Sequence, residues 1–244
     1  MKRILSIALV VGLGLLLVSG CQQATTSSPV SSQEAAGDCA QLTDLGLYTD
    51  NLVLLSLGAT TGFRAQTVSG IVRTSDGWWY LINSSTGQQW DIYFKLWDQN
   101  GQELTTLASL SAWKAGSVQI DKISTYTTLA LTSGSETLNL SMGASKSDPL
   151  TFSGRVNPPQ KLDGPISMSG TADGKNYSVV IDYVNVSLNT DGYPSGSVNF
   201  SVLVDSSTVL AGTITYDGDE TATLTFTSGA EGAYTINIET HQVS

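Results

Sequence analysis

The segment Val198-Asn199-Phe200-Ser201-Val202-Leu203-Val204 decides the fold, because apolar and polar side chains alternate along it. The same alternation returns three times before the end of the chain, over residues 210–216, 221–227 and 234–239. A period of two indicates strands with one buried face and one solvated face. Short turn signals separate the runs, at Asp205–Thr208, Asp217–Asp219 and Gly229–Gly232. The C-terminal part is therefore predicted to be an antiparallel meander.

The middle of the chain follows the same plan with longer strands. Trp78–Asn83 and Gln89–Asp98 are predicted to form a hairpin. Lys175–Leu188 reads as one long strand, with a bulge where its apolar phase slips near Tyr183–Val186. Ten to twelve strands follow Thr67 by this count. We expect an all-β fold, a large antiparallel meander that curves into a half-barrel or barrel-like sheet, because curling removes exposed edges. A two-sheet β-sandwich is the alternative.

The region before the strands divides into a tether and one possible helix. Gln22–Asp38 has almost no large apolar side chain and is predicted to be flexible. Leu42–Leu57 approaches the spacing of an amphipathic helix, and a strand over Leu52–Leu57 is the competing interpretation. The predicted organisation is a signal peptide over residues 1–20, a tether over 21–39 and a single β domain over 40–244.

The N-terminus has the pattern of an export signal. Lys2 and Arg3 precede an uncharged apolar run of roughly 15 residues, whereas a transmembrane helix needs about 20. Leu17-Val18-Ser19-Gly20-Cys21 resembles the bacterial lipobox. That resemblance implies that Cys21 carries lipid and becomes the new N-terminus. Since Cys21 is then committed to lipid, no internal disulfide is expected for Cys39.

Several motifs of the body resemble a group of uncharacterised bacterial β-rich lipoproteins. The motifs lie at Asp76–Tyr80, Trp90–Gly101, Gly192–Val198, Gly212–Gly218 and Ala233–Asn237. The resemblance implies a lipid-anchored protein of the cell envelope and brings no assigned activity. Gln22 after the lipidated cysteine implies the outer membrane if the cell is Gram-negative.

The net charge of the chain restricts the classes of partner that we expect. The chain has 21 acidic and 11 basic side chains and a formal net charge of −10. Nucleic acid is therefore not expected as a partner, because phosphate binding needs clustered Lys and Arg. The membrane, through the N-terminal lipid, and an envelope glycan or protein are the expected partners.

No catalytic, metal or cofactor site is predicted. The one histidine, His241, lies four residues from the end, so a nucleophile has no evident base. Ser111–Lys114 matches Ser-x-x-Lys without its companion motifs. Asp217, Asp219 and Glu220 crowd one turn, which is more typical of a solvated hairpin tip than of a calcium site.

The aromatic block is the candidate binding feature. All five tryptophans lie between residues 78 and 113. Trp79, Tyr93 and Trp97 are predicted to share a polar face as a stacking platform for sugar rings or an apolar ligand. The alternative is a set of cross-strand aromatic pairs that stabilises the sheet without a ligand. The function expected from this pattern is a non-enzymatic binding or interaction module of the envelope. A carrier of lipid or another apolar ligand inside the curved sheet is the alternative, followed by an envelope hydrolase.

Overall fold

The computed structural model describes residues 31–40, 71–85, 88–133, 136–172, 174–189 and 191–244. These residues form two helices, α1 (Ser32–Ala40) and α2 (Leu107–Lys114), and twelve strands. The strands are β1 (Ile71–Arg73), β2 (Trp79–Ser85), β3 (Gln88–Asp98), β4 (Ile120–Ser133), β5 (Glu136–Met142), β6 (Leu150–Ser153), β7 (Lys161–Ala172), β8 (Lys175–Leu188), β9 (Pro194–Val204), β10 (Ser207–Asp217), β11 (Thr221–Ser228) and β12 (Ala233–Asn237). The predicted signal peptide, Cys21 and the predicted helix at Leu42–Leu57 lie outside the described residues.

The twelve strands form a single antiparallel sheet. Its order is β1-β2-β3-β4-β5-β7-β8-β9-β10-β11-β12, and the short β6 pairs with both β4 and β7. Nearly every strand therefore pairs with its neighbour in sequence, which confirms the predicted meander. The described strands make one sheet rather than the two of the alternative sandwich.

One face of this sheet encloses the core. Inward side chains from β1 through β12 belong to one hydrophobic cluster, with Phe94, Ile214 and Leu224 fully buried. A single sheet brings its two ends to one cluster only by curling, so the strands form a ring around the core. The outward face of the last strands carries threonines, such as Thr215 and Thr223, which are exposed. The predicted curvature is confirmed.

Helix α1 corrects part of the predicted tether. Its buried residues are small and lie at i, i+1, i+4 and i+5, so they form a narrow apolar stripe: Ala35, Ala36, Cys39 and Ala40. The stripe belongs to the core cluster, and the helix packs against β12. The tether prediction is wrong for Ser32–Asp38 because it counted only large apolar side chains.

A reciprocal cap begins α1. The Ser31 hydroxyl accepts from the Glu34 backbone N–H at 3.2 Å, and a Glu34 carboxylate oxygen accepts from the Ser31 N–H at 3.1 Å. This Ser-x-x-Glu capping box satisfies two donors that the first turn leaves open. The Ser32 hydroxyl also accepts from the Glu231 N–H at 3.2 Å, so the start of the helix is bound to the end of the sheet.

Helix α2 was not predicted, since the pattern after Thr67 indicated only strands and turns. It is a single eight-residue segment between β3 and β4, capped by Thr106 and Ser109. Leu110 is its one fully buried side chain, and Trp113 packs partly against the core. Two inward contacts are too few to produce a helical period. No helix among the described residues is long and apolar enough to span a bilayer.

Candidate functional site

Three tyrosines stand side by side on the outer face of β2, β3 and β4. The register pairs Tyr80 with Tyr93, and Tyr93 with Tyr126. The rings of Tyr80 and Tyr93 are stacked, with centroids 4.4 Å apart and planes 16° apart. Those of Tyr93 and Tyr126 are 6.0 Å and 19° apart. All three are half-buried. We call this row the tyrosine ladder.

The assignment of Trp79 to the outer face is wrong. Trp79 pairs with Phe94, an inward residue of β3, and only 1% of its surface is exposed. Its indole N–H donates to the Leu104 carbonyl oxygen at 2.7 Å, so the one polar atom of the ring is satisfied in the core. Tyr80 occupies the outward position beside Tyr93. The register of the β2–β3 hairpin determines which residues of β2 face outward. Alternation within β2 alone does not determine it.

Tyr93 and Trp97 do lie on the outer face, and each carries a lysine ammonium over its ring. Lys146 Nζ is 4.1 Å from the Tyr93 ring centroid, and Lys122 Nζ is 4.5 Å from that of Trp97. Tyr80 and Tyr126 stack on Tyr93 from the two neighbouring strands, and Lys146 caps its ring as well. A sugar ring that stacks on Tyr93 therefore has to displace one of these groups. The predicted open platform is a set of capped rings.

A polar groove of about 350 Å³ adjoins the ladder on the same face. It is lined by Asp91, Thr128, Leu129, Ala130, Asn139, Leu140, Ser141, Ser167 and Ser169. The register explains the lining: Asp91, Thr128, Ser141 and Ser167 are successive cross-strand partners on β3, β4, β5 and β7. The groove thus offers one carboxylate, one amide and four hydroxyls, which together donate and accept hydrogen bonds. Sequence reasoning missed these residues, because short polar side chains on an outer face look like ordinary solvated positions.

Tyr80 joins the ladder to the groove. Its hydroxyl donates to Asp91 Oδ1 at 3.0 Å. Burial, followed by this hydrogen bond, holds the pKa of Tyr80 well above its ordinary value. The phenol therefore remains a neutral donor at physiological pH. It fixes the Asp91 carboxylate at the boundary between the aromatic row and the polar lining.

Lys146 is positioned by the turn between β5 and β6. Gly143 begins this turn with φ +78°, and a Cβ there would come within 2.8 Å of the Thr125 carbonyl oxygen. The Gly143 N–H donates to the Pro165 carbonyl at 2.7 Å, which ties the turn to β7. Lys146 Nζ then donates to Asp76 Oδ2 at 2.9 Å. The bonds from Lys146 and from the Thr74 hydroxyl lower the pKa of Asp76 to about 2.

The residues weighed for catalysis or metal binding lie elsewhere. His241 follows β12, and its backbone N–H donates to the Asn237 carbonyl oxygen. Asp219 accepts from the backbone N–H and the hydroxyl of Thr221, as expected at a hairpin tip. Across the described ranges, no three His, Cys, Asp or Glu side chains converge as metal ligands.

Comparison with protein-family models, with curated proteins and with solved structures finds no match for this chain.

Proposed function

We propose that this protein is a lipid-anchored, non-enzymatic binding module of the cell envelope that holds a glycan chain on the outer face of its sheet. The observation that carries the proposal is the adjacency of the polar groove and the tyrosine ladder, joined by the hydrogen bond from Tyr80 to Asp91. The outer-membrane location in a Gram-negative cell, and attachment through Cys21, belong to the same proposal and rest on the lipobox resemblance.

The chemistry of the groove suits a sugar. A pyranose ring has hydroxyls that both donate and accept, and C–H faces that pack on apolar or aromatic surface. The lining of Asp91, Asn139 and the Ser and Thr hydroxyls complements the first property. The apolar residues of the lining, Leu129, Ala130 and Leu140, complement the second, and the half-buried ladder lies beside them. A volume of about 350 Å³ is at the small end of ligand pockets, so it suits one or two rings of a longer chain.

The packing on the inner face of the sheet favours a binding site on the outer face over a carrier cavity inside. Large side chains, among them Trp79, Phe94 and Tyr183, fill the inside of the ring of strands within the described part of the chain. An apolar ligand held there would have to displace them. The outer groove needs no such rearrangement.

The groove also favours binding over hydrolysis. A glycosidase needs two carboxyl groups across the scissile bond, about 5–10 Å apart. Among the residues that the structure describes, Asp91 is the one carboxylate in the lining of the groove. A bound glycan would therefore meet one carboxylate and several neutral polar groups, which hold it without cleaving it.

The test is binding of the full-length protein in detergent to peptidoglycan sacculi and to a glycan array. The groove variant is Asn139→Ala with Ser141→Ala, and the matched control is Thr215→Ala with Thr223→Ala on the outer face of β10 and β11. Each lost hydrogen bond costs about 1 kcal/mol, so the groove variant should bind roughly 10- to 30-fold more weakly. Binding to none of these glycans, or equal loss in the control, would overturn the proposal.

A further inference from the structure

The outer face around the ladder combines aromatic rings with lysines. Lys95 Nζ lies 5.3 Å from the Trp78 ring centroid, in addition to the Lys122–Trp97 and Lys146–Tyr93 contacts. An ammonium is attracted to the negative face of an aromatic ring. Each ring thus holds a cation at a fixed place on a face that also carries the polar groove.

Charge is unevenly distributed along the chain and therefore around the ring of strands. Residues 71–175 contain eight basic and nine acidic side chains, whereas residues 176–244 contain eight acidic side chains and no Lys or Arg. The second segment forms most of β8 and all of β9 to β12. A polyanion is consequently repelled by that side of the molecule and steered toward the side with the ladder and lysines.

Lys146 is the cation best placed to meet a ligand. Tyr93, under its ammonium, is two residues from the groove residue Asp91 on the same face of β3, a distance of about 7 Å along the strand. Among the described residues, Asp76 is the one hydrogen-bond acceptor for Lys146 Nζ. Both side chains are partly exposed, at 31% and 51%. Ion pairs of this kind contribute little net stability, so one carboxylate is readily exchanged for another.

We propose that the groove binds an acidic polysaccharide, a chain of carboxylate-bearing sugar rings, and that Lys146 pairs with a ligand carboxylate in place of Asp76. This inference rests on the proposed glycan-binding function and names its substrate class. The groove supplies hydrogen bonds to the sugar hydroxyls. Lys146, positioned by the Gly143 turn, distinguishes an acidic chain from a neutral one.

The experiment compares two polymers with the same backbone. Full-length protein in detergent is titrated with polygalacturonate and with fully methyl-esterified polygalacturonate, which lacks the charges. We expect the acid to bind at least about 10-fold more tightly, with an affinity that falls as NaCl is raised. Lys146→Met, which keeps most of the side-chain stem, should remove that preference, so that the acid and the ester bind with similar affinity. Asp76→Asn should tighten binding of the acid several-fold, because the competing carboxylate is gone.

Lys161→Met is the matched control. Lys161 begins β7, six residues or about 20 Å from Ser167 of the groove along the same strand. It should retain the preference for the acid. Equal binding of both polymers by the unchanged protein, or an equal loss in Lys161→Met and Lys146→Met, would overturn the acidic-ligand inference alone. Binding of neither polymer, together with no binding on the glycan array, would overturn the proposed function itself. Thermal unfolding of each variant checks that the fold is intact.

Discussion

Tyr80 and Tyr93 stack across the β2–β3 pair with their ring centroids 4.4 Å apart. The contact exists because the hairpin register sets these two residues directly opposite each other on the outer face. It determines which aromatic side chains can meet a ligand and which belong to the core.

The stack should have a measurable coupling energy. Tyr80→Leu and Tyr93→Leu each remove one ring, and the double variant removes both. Stacked aromatic pairs contribute about 0.5–1.5 kcal/mol beyond their buried area, so the double-variant cycle should return a coupling in that range. Urea unfolding of the four proteins measures it. A coupling of zero would show that the rings do not stabilise each other in solution.

Trp79 should behave as a core residue. Trp79→Ala leaves a large cavity and an unpaired Leu104 carbonyl, and should lower the free energy of unfolding by about 3–5 kcal/mol. Trp97→Ala, at a half-buried outer position, should cost about 1 kcal/mol, since it loses partial burial and the contact with Lys122. Chemical denaturation compares the two. Similar losses of stability in the two variants would mean that Trp79 is not a core residue.

Helix α1 offers a test of the corrected tether. Ala36 is fully buried, so Ala36→Leu overpacks the contact between the helix and the core and should cost about 1–3 kcal/mol. Gln33→Leu adds a similar side chain on the exposed side of the same helix and should be close to neutral. Urea midpoints give both values. If Ala36→Leu were also neutral, residues 32–38 would be a tether after all.

Asp76 should titrate far below an ordinary carboxyl group. Its hydrogen bonds from Lys146 and Thr74 lower its pKa to about 2 from 3.8. A carboxyl group whose pKa is lower in the folded state stabilises the protein above its unfolded pKa, and that contribution disappears as the pH falls from about 3.8 toward 2. NMR titration of the Asp76 carboxyl carbon measures the midpoint. Lys146→Met should raise it toward the ordinary value, and an unchanged midpoint would mean that the pair does not form in solution.

Cys21 carries the expectation about location. Cys21→Ser removes the acceptor for the lipid, so labelled palmitate should no longer be incorporated and the protein should leave the membrane fraction. Cys39→Ser is the control, because Cys39 is fully buried in α1. Continued labelling of Cys21→Ser would show that the N-terminal segment is not a lipobox.

The strands were predictable where one face of the sheet is exposed to solvent and the other is buried. Alternation predicted β9 to β12, and the phase slip near Tyr183–Val186 predicted the bulge in β8, where the register shifts and Asn185 has φ 51°. The face of Trp79 was not predictable from its own strand, since it depends on a pairing register with β3. Helices α1 and α2 were not predicted, because their inward contacts are made by few side chains or by small ones. The groove was not predicted, because its polar residues come from four strands and meet only when those strands pair in the sheet.

The most direct test of the central claim is covalent carbene footprinting of the full-length protein, with and without saturating glycan. Soluble peptidoglycan fragments and polygalacturonate are used in separate arms. At least one should reduce labelling of peptides that carry Tyr80, Asn139 and Ser167, and leave those of β10 to β12 unchanged. Unchanged labelling in both arms, or protection confined to β10 to β12, would contradict a glycan site on this face.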